Sequence, residues 1–119
     1  MTKTLLVIDD EQYIINAIRR SLRGLDIDIL AAYCGYTGVE LAINNDVDLI
    51  IIDWRMPDIS GTVAAALIKE HLGDKMPTII GLTGSNDEEL GDEDKEIVRA
   101  WFSKTDSLTG IADLIERFI

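Results

Sequence analysis

"DLIIIDWRMPDISG", residues 48–61, runs four apolar residues, Leu49 to Ile52, straight into the carboxylate of Asp53 and then breaks into Trp54, Arg55, Met56 and Pro57. An unbroken Leu/Ile stretch of that length fits a strand covered on both faces, as in a parallel sheet. Any polar residue could end such a strand. An aspartate delivered to the end of a buried one points to chemistry.

Four further apolar runs flank this one: "TLLVID" (4–9), "IDILAAY" (27–33), "PTIIGL" (77–82) and "AWFSK" (100–104). Segments of helical character lie between them. In "EQYIINAIRRSLRG" (11–24), Ile14, Ile15, Ile18 and Leu22 share one stripe, and Gly24 reads as a stop. "GYTGVELAINN" (35–45), the Ala-rich "SGTVAAALIKEHLG" (60–73) and "SLTGIADLIERFI" (107–119) read as further helices. The segment 86–98 is the poorest helix. Ser85 and Glu88 could form a capping box, but Gly91 interrupts it, and residues 86–96 hold seven acids and one Lys. A solvated acidic surface is the ordinary reading of such a stretch. The alternation predicts one (βα)5 domain over residues 1–119, with right-handed crossovers and helices on both faces of a parallel sheet. In such sheets ligands sit beyond the carboxyl ends of the strands.

Composition excludes several function classes. A net charge of −11 argues against direct nucleic-acid contact, which needs clustered Lys and Arg. No apolar run exceeds six residues, far short of the ~18 a membrane-spanning helix needs. With a single Lys3 before "TLLVI" and Asp9 close behind, no signal peptide is expected. The lone Cys34 has no internal disulfide partner and fits a reducing cytoplasm as a small buried apolar side chain.

The predicted strand ends carry the functional signal. Strand one ends in Asp9-Asp10, strand three in Asp53, strand four in Thr83 and strand five in Lys104. Each has an ordinary explanation alone: the first two acids or Thr83 could cap helices, and Lys104 could be a solvated surface lysine. Their joint occurrence at equivalent topological positions is far harder to dismiss.

This constellation resembles the receiver domain of two-component response regulators along the whole chain: the acidic pair in "LLVIDDE", the acceptor stretch "IIIDWRMPDISG", the hydroxyl in "GLTGS" and the lysine in "WFSKTD". Asp53-x-x-Met56-Pro57-x-x-x-Gly61 is its most specific part. The resemblance implies a flavodoxin-like three-layer sandwich with strand order 2-1-3-4-5. It implies Mg²⁺ on Asp9, Asp10, Asp53 and the backbone carbonyl of Arg55, with Asp53 as phosphoacceptor and Thr83 and Lys104 on the phosphoryl group. Trp101 falls at the family's aromatic switch position, in partnership with Thr83. The implied donor is a sensor histidine kinase or a histidine phosphotransfer protein. The output is a downstream effector protein, or an effector domain following residue 119, read through the surface of helix four, strand five and helix five. A homodimer stays open, no membrane contact is implied, and the domain turns over only its own phosphoryl group. Three features depart from the family pattern: Trp101 replaces the usual Tyr or Phe, Thr105 replaces a proline (so the preceding peptide is expected trans), and the fourth helix is acidic and broken by Gly91.

The residue types have independent physical reasons. A carboxylate attacking phosphorus must approach an anion, and a hard, oxygen-loving dication removes that barrier. Strands lie about 4.8 Å apart, so a group two strands from Asp53 must span roughly 10 Å; Lys104 is long enough, and Thr83, one strand away, need not be. Arg55 and Ser85, each two residues past a site residue, are expected to tune loss of the phosphoryl group. Trp54 reads as a packing or partly exposed loop residue, Met56 as packed beneath the loop, and His71 as a surface residue. Three other classes compete. A phosphohydrolase of haloacid-dehalogenase type would need a second Asp where Arg55 stands. A nucleotide- or flavin-binding protein would need a Gly- or hydroxyl-rich first loop where "IDDEQY" stands. A receiver-like interaction module that is never phosphorylated would need none of the strand-end groups.

Overall fold

A computed structural model of the chain describes residues 2–84, 92–104 and 108–119. Strands β1 (Lys3–Ile8), β2 (Ile27–Ala32), β3 (Leu49–Asp53), β4 (Thr78–Thr83) and β5 (Val98–Ser103) alternate with helices α1 (Gln12–Ser21), α2 (Gly35–Asn44), α3 (Gly61–Leu72), α4 (Asp92–Ile97) and α5 (Ile111–Phe118). The sheet is wholly parallel, in the order β2-β1-β3-β4-β5. The expected (βα)5 sandwich and strand order are both present.

Side-chain alternation splits the core between the two faces of the sheet. Leu6, Ile8, Ile50, Ile52 and Ile79 pack toward α2 and α3. Leu5, Val7, Leu49, Ile51 and Ile80 pack toward α1 and α5, meeting Ile14, Ile15, Ile18, Ile111 and Ile115. Leu49 to Ile52 are all fully buried, and at about 1.5–3 kcal/mol per side chain the four stabilise β3 by on the order of 10 kcal/mol gross. That exceeds the cost of carrying one partly desolvated carboxylate at the strand's end.

Helix ends follow the sequence in part. Ser60 caps α3 by accepting from Val63 N–H, and Gly73 ends it with φ +55°. Helix α1 stops at Ser21, ahead of Gly24, whose φ of +89° serves the turn into β2. β5 starts two residues earlier than expected and directly follows α4. A register shift lies between Ile79↔Val98 and Ile80↔Ala100. It places Arg99 as an extra residue and brings Trp101 opposite Gly81. The expected capping box at Ser85 and Glu88, and the peptide between Lys104 and Thr105, lie outside the described residues.

Cys34 corrects one expectation. It is half-buried rather than buried, because it stands at the N-cap of α2, just past edge strand β2. Its thiol donates to Thr37 Oγ1 at 3.2 Å.

Candidate functional site

Register decides which strand ends meet. Ile8 pairs with Ile52, so Asp9 emerges level with Asp53, and Asp53 pairs with Leu82, one residue before Thr83. The backbone N–H of Lys104 donates to Thr83 O at 2.8 Å, which fixes the lysine just beyond β5. From there its ammonium crosses two strands, reaching Asp53 Oδ2 at 2.9 Å and Asp9 Oδ2 at 3.0 Å.

The two buried carboxylates are held alike. Asp9 Oδ1 accepts from Glu11 N–H at 2.9 Å, and Asp53 Oδ1 from Arg55 N–H at 3.2 Å. In each, the backbone two residues on turns back to one oxygen and leaves the other facing Lys104. Asp9 is completely buried and Asp53 nearly so. Burial pushes Asp9 up to about 6, against the opposing pull of the Glu11 amide and Lys104, and the Asp53 charge adds to the rise. Burial likewise raises Asp53. Burial alone would lower Lys104, but the hydrogen bonds and charges of Asp53 and Asp9 together hold it above the usual lysine range.

Asp10 is exposed at the mouth of the same cleft, and one oxygen from each of Asp9, Asp10 and Asp53 lies within 4.8 Å of the others. The donor set is all carboxylate, without His or Cys, and suits a hard cation that keeps several waters. Asp9 Oδ2 is sealed from solvent and is held by the ion pair with Lys104. The residues therefore fit Mg²⁺. Thr83 is buried at the end of β4, one strand from Asp53. The Arg55 side chain is exposed, and Ser85 lies outside the described residues.

Trp101 stands apart from this cleft. It lies across Gly81 and meets Trp54 edge-on, with ring centroids 4.8 Å apart and planes at 79°. Trp54 is buried and rests on Gly61. Met56 is half-buried against the same core, and His71 is exposed with its ring nitrogen against Leu67 O.

Two residues escaped the sequence reading. Glu11 enters the cleft, its Oε2 3.7 Å from Lys104 Nζ; its only signal was being a third acid directly after Asp9 and Asp10. Asp58, in the β3–α3 loop, accepts from Gly35 and Tyr36 N–H at 2.9 Å each and so caps α2 from another element. The Tyr36 amide bond leads the effects that hold its carboxyl down at about 2. Nothing in its sequence neighbourhood announces a partner 22 residues away.

The sequence model of the response regulator receiver domain matches residues 5–98. The chain belongs to this family. As a receiver domain of two-component systems it is 32% identical over 87 residues to the response regulator ArlR of Staphylococcus saprophyticus, covering 73% of this chain and 38% of that protein. It is 31% identical over 88 residues to the transcriptional regulatory protein SrrA of Staphylococcus aureus, covering 74% and 35%. The matches thus span little more than a third of those relatives' lengths. Among solved structures, the chemotaxis response regulator CheY4 of Vibrio cholerae superposes with a TM-score of 0.87 at 21% identity, over the full length of both chains. The response regulator TrrA of Thermotoga maritima, solved in complex with Mg²⁺ and BeF, gives a TM-score of 0.84 at 24% identity over 99% of this chain and all of that one. Both share this receiver domain's fold.

Proposed function

We propose that this receiver domain takes a phosphoryl group onto Asp53 from the phosphohistidine of a sensor histidine kinase or histidine phosphotransfer protein. The observation that carries the reading is Lys104 Nζ 2.9 Å from Asp53 Oδ2, within a cleft where Asp9, Asp10 and Asp53 present oxygens within 4.8 Å of one another. Mg²⁺, when bound by Asp9, Asp10, Asp53 and the Arg55 carbonyl, supplies the charge neutralisation that lets one anion attack another. Asp53, at the end of a fully buried strand, cannot drift from the attacking position. One of its oxygens bonds to phosphorus as the phosphorus–nitrogen bond to the donor histidine breaks. Lys104 gives up Asp9 and Asp53 to hold a phosphoryl oxygen, and Thr83 donates its hydroxyl to another.

Thr83 and Trp101 form the switch: inward movement of the hydroxyl alters the packing on β4 beside Gly81, where Trp101 rests. The face of α4, β5 and α5 then reports to an effector protein or to an effector domain in a longer chain, as the coverage of the relatives suggests. A homodimer through that face fits the same scheme. Removal of the phosphoryl group by water within the domain, tuned by Arg55 and Ser85, is the only turnover the site supports. Among the described residues no helix is long and apolar enough to cross a membrane, and the chemistry suits the cytoplasm.

Intact-mass measurement after incubation with Mg²⁺ and acetyl phosphate tests the reading. A base-labile gain of one phosphoryl group, absent in Asp53→Asn, is the expected result. No gain in the wild-type chain would leave an unphosphorylated interaction module, and sustained turnover of an added phosphoester would make it a hydrolase.

A further inference from the structure

Glu11 occupies the N-cap of α1, where a side chain ordinarily accepts a hydrogen bond from the first N–H groups of its own helix. It makes no such bond. The carboxylate turns into the cleft instead: Oε2 is sealed from solvent with no hydrogen-bond donor and lies 3.7 Å from Lys104 Nζ. Among the described residues, Lys104 therefore faces three acids. Two of them, Asp9 and Asp53, belong to the oxygen cluster that fits a divalent cation, and Glu11 does not.

We infer that Glu11 is a positioning residue that keeps the Lys104 ammonium in the cleft when a divalent cation takes over the oxygens of Asp9 and Asp53. The inference rests on the reading of the cleft as a Mg²⁺ site. An ammonium and a dication cannot both remain counter-ions of the same two oxygens, because at about 3 Å their repulsion opposes the second arrival. The flexible four-carbon stem of lysine allows a short pivot. Among the described residues, Glu11 is the one acid paired with Lys104 that stands outside the oxygen cluster. With it, metal binding leaves Lys104 paired and within reach of an incoming phosphoryl oxygen. Without it, the cation must either crowd the ammonium or drive it into solvent.

A double-mutant cycle on Mg²⁺ affinity, read by tryptophan fluorescence of the metal-free protein, tests the inference with the wild type, Glu11→Gln, Lys104→Met and the double variant. Glu11→Gln is expected to weaken Mg²⁺ binding roughly tenfold, the low end for groups acting one shell beyond a metal, and to change it less than about twofold once Lys104 is Met. Glu11→Asp, too short to reach the ammonium, should resemble Glu11→Gln despite keeping its charge. Equal weakening in both Lys104 backgrounds, or full affinity in Glu11→Asp, would make Glu11 a remote charge only and overturn the inference. An unchanged affinity in Glu11→Gln would also overturn it. Failure of the wild type itself to bind Mg²⁺ would overturn the metal reading and this inference with it.

Discussion

Substituting Gly81 by alanine sets two effects of opposite sign against each other. In a strand, alanine is ordinarily favoured over glycine by about 0.5–1 kcal/mol, because glycine loses more backbone freedom on folding. At Gly81, however, an added Cβ would overlap Cζ3 and Cε3 of the Trp101 ring, which lies directly across it. Trp101 cannot simply slide away, since Trp54 meets it at 4.8 Å and Trp54 is itself seated on Gly61. Forcing a methyl into such packing costs about 1–3 kcal/mol, and disturbing the edge-on contact costs about 0.5–1.5 kcal/mol more. The packing effect wins. Gly81→Ala is expected to destabilise by about 2 kcal/mol in urea denaturation, with little change in the slope. In a Trp101→Ala background the obstruction is gone, and the same substitution should stabilise by about 0.5–1 kcal/mol. The sign change is the signature. A neutral or stabilising Gly81→Ala in the wild-type background, or equal costs in both backgrounds, would refute the seating of Trp101 on Gly81.

Metal-free protein should show the strain of Asp9 as a pH effect. Burial raises this group to about 6 in the fold, above its unfolded value, so its contribution is fully present below about pH 4 and is lost as pH rises through 6. The urea stability of the wild type minus that of Asp9→Asn, measured in chelator, should fall by roughly 2 kcal/mol between pH 4 and 7; a constant difference would contradict the burial argument. Asp58 should act in the opposite sense. Its folded value of about 2 means a contribution present above about pH 4 and lost as pH falls toward 2, and Asp58→Asn should flatten that acid limb. Identical acid limbs in mutant and wild type would show that the cap on α2 carries no charge preference.

Much of the fold was legible because burial on both faces leaves a local trace. Leu49 to Ile52, "TLLVI" and "TIIGL" could be read as strands from their own composition. The alternation of strands with helical stripes then limits the topology to a few right-handed arrangements. Asp9, Asp10, Asp53, Thr83 and Lys104 were legible as a set, since each interrupts an apolar run at its carboxyl end and a parallel sheet brings such ends to one edge.

What the sequence determined alone was thus the layered sheet and the residues it delivers to that edge, because periodicity and run length record which side chains lose water. The tertiary structure decided how those residues meet. The extra residue at Arg99 in β5 sets Trp101 over Gly81 rather than beside it, and no periodicity records a single-residue slip between neighbouring strands. The turn of Glu11 away from its own helix toward Lys104, the burial of Trp54 and the reach of Asp58 to α2 likewise depend on contacts between elements distant in the chain. Such contacts are settled by register and packing, which exist only once the elements have come together.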